Sequence, residues 1–139
     1  MSFSQLYGAN MEIKLLNEIK EKALKARKTI VLPESHDERV LKAAEKLTKE
    51  KTVSVITLGD EDRIIKDAKK LDVHLTGVRI IDPTKSDKLS DFTNIFFNLR
   101  KHKGITIEQA RSTVQQDLFF AAMMVKENMA DGSVAGSAS

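Results

Sequence analysis

Apolar positions along the chain switch between two spacings. MEIKLLNEIKEKALKAR puts Ile13, Leu16 and Ala23, with the neighbouring Leu15 and Ile19, on one face of a helix. Thr29 to Leu32 in KTIVLPES is then a short β-branched and apolar run closed by Pro33, which predicts a buried strand. SHDE begins the next helix. Ser35 can cap it while Glu38 reaches back to the cap amide, and Val40, Ala44 and Leu47 follow on one face. The cycle repeats in TVSVITLGD, where Val53, Val55, Ile56 and Leu58 predict a strand running into a Gly-Asp turn. A helix through Ile64, Ile65 and Ala68 comes next, and GVRIIDP supplies a third strand.

The second half is richer in helix. DKLSDFTNIFFNLRK spaces Leu89, Phe92, Phe96 and Leu99 three and four apart, which predicts a buried aromatic stripe that Gly104 ends. Thr106 and Gln109 form a second capping-box pattern, and LFFAAMMVKENM is a further apolar helix. Phe92, Phe96, Phe97, Phe119, Phe120, Met123 and Met124 are read as core residues. DGSVAGSAS is read as a strand entering a loop of small residues. Short strands separated by amphipathic helices predict an open, mainly parallel α/β sheet with helices on both faces. Such sheets take ligands beyond the carboxyl ends of their strands. That rule nominates Pro33 to His36, Gly59-Asp60, and Ala135 to Ser139. The last strand is followed by no closing helix, which predicts a fragment of a larger fold.

Composition fits this picture. The 139 residues, 41% hydrophobic and 31% charged, suit one globular domain or part of a larger one and argue against disorder. The net charge of +3 is spread among 20 acidic residues, too mild for a nucleic-acid binder. No apolar stretch is long enough for a membrane span. The first residues lack a signal-peptide pattern, and there is no cysteine. A cytoplasmic protein is expected. His36 and His74 are isolated, so no metal pair is expected and both are read as surface residues.

FNLRKHKGIT gathers Arg100, Lys101, His102 and Lys103 ahead of a glycine. Cations there complement the negative end of a helix dipole, worth about 0.3–1 kcal/mol, or they hold an anion. Successive helix residues diverge, so at most two of the four can face one ligand. At the first strand's mouth, Glu34 can accept hydrogen bonds. Ser35 can serve as a cap, or the helix amino end there can favour an anion.

Taken together and in this order, IVLPESHDERVLKAAEKL, FFNLRKHKGITIEQA and FFAAMMVKENMADGSVAG resemble the first portion of the phosphate acetyltransferase (phosphotransacetylase) family. Each segment alone is weak, and the combination of LRKHKG, AMMVK and ADG is specific. The resemblance implies a two-domain α/β enzyme of the isocitrate/isopropylmalate dehydrogenase-like kind, whose cleft binds coenzyme A and transfers acetyl between the CoA thiol and inorganic phosphate. Residues 1–139 are then its N-terminal part, with the second half and the catalytic residues absent from this chain, which alone is expected to be inactive. Coenzyme A or acetyl-CoA is a substrate, no prosthetic group or metal is implied, and the full-length protein is expected to be a homodimer without nucleic-acid or membrane partners. The family arginine implicated in CoA binding falls at Arg100, with Lys103 as the second candidate CoA or phosphate contact. Glu34, Ser35, Gly136 and Ser137 become the cleft-lining residues. Where the family commonly has Ser-Gly this chain has Ala135-Gly136, which removes a side-chain role at Ala135 and keeps the close backbone approach. A phosphate butyryltransferase or another acyl variant, and a non-catalytic regulatory domain sensing acetyl-CoA, are the alternatives.

Overall fold

The alternation of spacings becomes a layered α/β structure in the computed structural model, which describes residues 12–20 and 28–135. Helix α1 covers residues 12–20. It is followed by β1 (Thr29–Leu32), α2 (Glu38–Lys49), β2 (Ser54–Leu58), α3 (Glu61–Lys70) and β3 (Arg79–Ile81). Helix α4 (Leu89–Arg100) runs into a 3-10 turn (Lys101–Lys103), and α5 (Ile107–Val114), α6 (Asp117–Lys126) and β4 (Gly132–Ser133) complete the order.

The four strands are all parallel and lie in the order β3-β2-β1-β4. Thr29 faces Ser54 and Leu32 faces Thr57, while Ile30 and Val31 sit opposite Gly132 and Ser133 on the other side. Strand alternation then divides the core. Ile30, Leu32 and Val55 pack with Leu15, Leu16 and Ile19 of α1 and Val40, Ala44 and Leu47 of α2. Val31, Ile56 and Leu58 pack on the opposite face with Leu89 and Phe92 of α4, Val114 of α5, and Phe120 and Met124 of α6. The expected open parallel sheet with helices on both faces is what forms. Ala23 lies outside the described residues.

Three expectations about individual residues are corrected. The cap of α2 is Asp37, whose carboxylate accepts from the Arg39 amide at 2.9 Å, and Ser35 is not the cap. A turn intervenes, held by Ser35 N to Pro33 O and Asp37 N to Glu34 O, both 3.0 Å, so the helix starts later than Ser35 allows. The aromatic stripe of α4 is buried only at its start. Leu89 and Phe92 are buried, Phe96 is half-buried and Leu99 is 48% exposed. A 12-residue helix is about 18 Å long and outruns the three-residue β3, about 10 Å. Phe119 is exposed, because its neighbour Phe120 takes the sheet-facing position and adjacent helix residues point about 100° apart. The capping box of α5 is present as expected, with Thr106 Oγ1 accepting from Gln109 N at 3.1 Å and Gln109 Oε1 from Thr106 N at 2.9 Å. Gly104 follows the 3-10 turn in the left-handed region, φ 80°.

Candidate functional site

The strand order fixes where a ligand fits. The chain moves outward from β1 to β2 to β3 and then returns to place β4 on the other side of β1. The carboxyl ends of β1 and β4 are therefore neighbours at a reversal of strand order, the position where open parallel sheets bind ligands. Pro33, Glu34 and Ser35 leave β1 there, and Val134 and Ala135 leave β4, with Val134 N donating to Val31 O at 3.0 Å. At the β2 and β3 ends a pocket of about 250 Å³ is instead lined by Asp60, Glu61, Asp62 and Asp82 with Ile80, Lys85 and Ser86. That lining disfavours an anion.

Ser35 is fully buried at this end. Its Oγ donates to the Leu58 carbonyl at 2.5 Å and accepts from Arg63 Nη2 at 2.6 Å. Thr57 makes a parallel tie, donating to the Leu32 carbonyl at 2.8 Å. Two hydroxyls thus lock the ends of β1 and β2 together. Arg63 is fixed from the other side by Asp67, one helical turn on, at 3.0 Å. Gly59, with φ 142°, leaves the space for this arrangement, since a Cβ there would stand 2.7 Å from Arg63 Nη2 and 2.8 Å from Ser35 Oγ.

Two carboxylates nearby are perturbed in opposite directions. Burial pushes the Asp37 carboxyl up, yet the hydrogen bonds and charge of Arg39 outweigh it, and its pKa lies below the ordinary value. Asp117, at the start of α6, is raised above the ordinary value by burial, with Asp82 adding to the rise against the opposing charges of Arg63 and His36. These influences place the start of α6 near the β1, β2 and β3 ends. Among the described residues no group of three or more His, Asp or Glu side chains is arranged to hold a metal ion. His36 and His74 are exposed, as expected. No helix among the described residues is long and apolar enough to cross a membrane.

Of the residues singled out in the sequence, Glu34 and Ser35 stand together on the β1 turn, Glu34 half-buried. Arg100 and Lys103 form a second, exposed group at the far end of α4 and in the 3-10 turn. Eleven helical steps, about 16 Å, separate Arg100 from the start of α4. The Arg100 guanidinium lies 5.8 Å from the centre of the Phe96 ring, a cation–π contact that steadies its stem while leaving it exposed. Gly136 and Ser137 lie outside the described residues. Sequence reasoning nominated the Gly59-Asp60 turn but missed Arg63 and Asp117. The only local signal for Arg63 was a basic residue one turn after the Gly-Asp strand end.

The fold is that of an open parallel α/β protein whose candidate site lies where β1 and β4 end together at a reversal of strand order. Residues 14–139 match the phosphate acetyl/butaryl transferase family, and the chain belongs to that family. It is 45% identical over 122 residues to a phosphate acetyltransferase of Acetivibrio thermocellus, covering 88% of this chain and 36% of that protein. It is 42% identical over 123 residues to a phosphate acetyltransferase of Thermoanaerobacterium thermosaccharolyticum, covering 88% and 37%. Among solved structures, EutD phosphotransacetylase from Staphylococcus aureus superposes with a TM-score of 0.76 at 37% identity, over 90% of this chain and 38% of that one. A phosphotransacetylase from Streptococcus pyogenes gives 0.76 at 31% identity, over 98% and 38%. The chain spans little more than a third of the length of these relatives.

Proposed function

We propose that the chain is the N-terminal part of a phosphate acetyltransferase that interconverts acetyl-CoA and phosphate with acetyl phosphate and CoA. The observation that carries this reading is the 45% identity to a phosphate acetyltransferase over 122 residues that include both the β1 turn and the Arg100 segment. In the synthetic direction the CoA sulfur attacks the acetyl carbonyl of acetyl phosphate. The C–S bond forms, the C–O bond to phosphate breaks, and phosphate leaves as the thiol proton passes to a base. That base and a phosphate-binding arginine belong to the remaining length of the protein, so this chain alone is inactive.

In this reading Arg100, with Lys103 beside it, holds a phosphate group of CoA. A guanidinium offers paired donors that match phosphate oxygens, where a lysine offers a point charge. The turn at Glu34 and Ser35 and the loop at Gly136 and Ser137 line the cleft where β1 and β4 end together, and small residues there allow close backbone approach. CoA is a substrate and no prosthetic group takes part. The protein works in the cytoplasm on small molecules, as a homodimer, without nucleic-acid or membrane partners. The acyl group is acetyl, the group in the names of the relatives. The test assays the full-length protein for phosphate-dependent release of CoA thiol from acetyl-CoA and from butyryl-CoA. A higher kcat/KM with acetyl-CoA is expected. A preference for butyryl-CoA would overturn the acyl assignment, and no release from either would overturn the activity.

A further inference from the structure

We propose that Arg63 is a positioning residue of the substrate site, holding the turn after β1 in place through the Ser35 hydroxyl. The inference rests on the acyltransferase reading, and it assigns a role to a residue on a different element from either candidate binding group. Arg63 sits in the first turn of α3, above the end of β2, and reaches across 28 residues of sequence to Ser35. Because Ser35 Oγ simultaneously donates to the Leu58 carbonyl, the hydroxyl is held in one orientation by an acceptor and a donor. A charge-assisted bond of this kind is directional, and fixes where the turn lies as well as that it is packed. Asp67 pins the other guanidinium nitrogen at 3.0 Å, so Arg63 cannot swing away without losing that pair.

The missing side chain at Gly59 supplies independent geometric support. A Cβ there would approach both Arg63 Nη2 and Ser35 Oγ to under 3 Å, so the bond requires the space this glycine leaves. The bond ties the β1 turn, one wall of the switch-point end, to the first turn of α3. Displacing Arg63 therefore shifts the backbone on which substrate rests, with no need for Arg63 itself to touch substrate.

The test measures KM for CoA and for acetyl phosphate separately in the full-length protein, for Arg63→Ala, Arg63→Lys, Ser35→Ala and the Arg63→Ala/Ser35→Ala double variant. KM for at least one substrate is expected to rise about tenfold in Arg63→Ala. Arg63→Lys should recover part of the loss, since one amine can meet Ser35 or Asp67 but not both. The double variant should be no worse than the worse single variant, because both changes remove the same bond. A purely structural role reduces the amount of folded enzyme, and with it kcat, while leaving both KM values unchanged. Unchanged KM values in an active Arg63→Ala protein, or defects that multiply in the double variant, overturn the proposal. Where Arg63→Ala does not fold, Arg63→Lys carries the same comparison. A wild-type protein without transferase activity overturns the acyltransferase reading instead. The clamp is then tested by amide exchange at Ser35 and Asp37, which should quicken about tenfold in Arg63→Ala with the β1 amides unchanged. Equal protection at Ser35 and Asp37 in both proteins overturns the clamp itself.

Discussion

Replacing Ser35 by Ala removes a hydroxyl that is fully buried and bonded on both sides. The net value of a neutral hydroxyl-to-carbonyl bond is about 1 kcal/mol, and leaving the Leu58 carbonyl without this donor inside the protein adds about 1–2 kcal/mol. Arg63 contributes little to the loss, since its side chain is 37% exposed, retains Asp67 and can turn to water. The expected cost is therefore about 2–3 kcal/mol, above what loss of an exposed helix cap typically gives, about 1 kcal/mol. Urea unfolding followed by far-UV circular dichroism reads this directly as a shift in midpoint at constant slope. Asp37→Ala, which removes the real cap, is the companion measurement. A Ser35→Ala protein within about 0.5 kcal/mol of wild type, a change typical of a featureless surface position, would refute the burial and bonding argument.

Gly59→Ala should destabilise by about 1–3 kcal/mol, because it forces a side chain into the φ 142° conformation and against Arg63 and Ser35; a thermal melt that does not move contradicts this. The depressed Asp37 carboxyl contributes stability that is present above its unfolded-state pKa, about 3.9, and lost as pH falls through the lower folded value. Asp37→Asn should accordingly flatten the acid limb of a stability–pH curve, and an unchanged limb counts against the Arg39 pair as the cause. Asp117 has the opposite sign. Its raised pKa means that the folded state loses stability as pH climbs from the ordinary carboxyl value through the folded one, so Asp117→Asn should stabilise at pH 7 and not below the ordinary carboxyl value; equal effects at both pH values would contradict the burial argument. Arg100→Ala in the full-length protein should weaken CoA binding about ten- to a hundredfold with Arg100→Lys recovering only part, and unchanged CoA affinity would return Arg100 to complementing its helix end.

The strands β1 and β2 were legible because a buried parallel strand has to be a nearly continuous apolar run, and Ile30 to Leu32 and Val55 to Leu58 have no other reading at that length. The α5 capping box was legible because both of its partners lie within four residues. Ser35 was misread for the complementary reason. SHDE contains two residues able to cap, and the interaction that decides between them, a bond to the Leu58 carbonyl, comes from 23 residues away. Phe119 was misread because α6 is apolar nearly all round, so its sequence does not say which side meets the sheet. The candidate site divides in the same way. The β1 turn could be nominated from the strand pattern, whereas Arg63 enters only when β2 is laid beside β1.

The central claim is that the full-length protein moves acetyl reversibly between phosphate and CoA, and the exchange of labelled inorganic phosphate into acetyl phosphate tests it most directly. Exchange by that route needs CoA to accept and return the acetyl group, so the label should enter acetyl phosphate in the presence of CoA, fall to background without it, and fail to enter with residues 1–139 alone. Exchange of equal rate with and without CoA, or none under either condition with the folded full-length protein, would contradict the account.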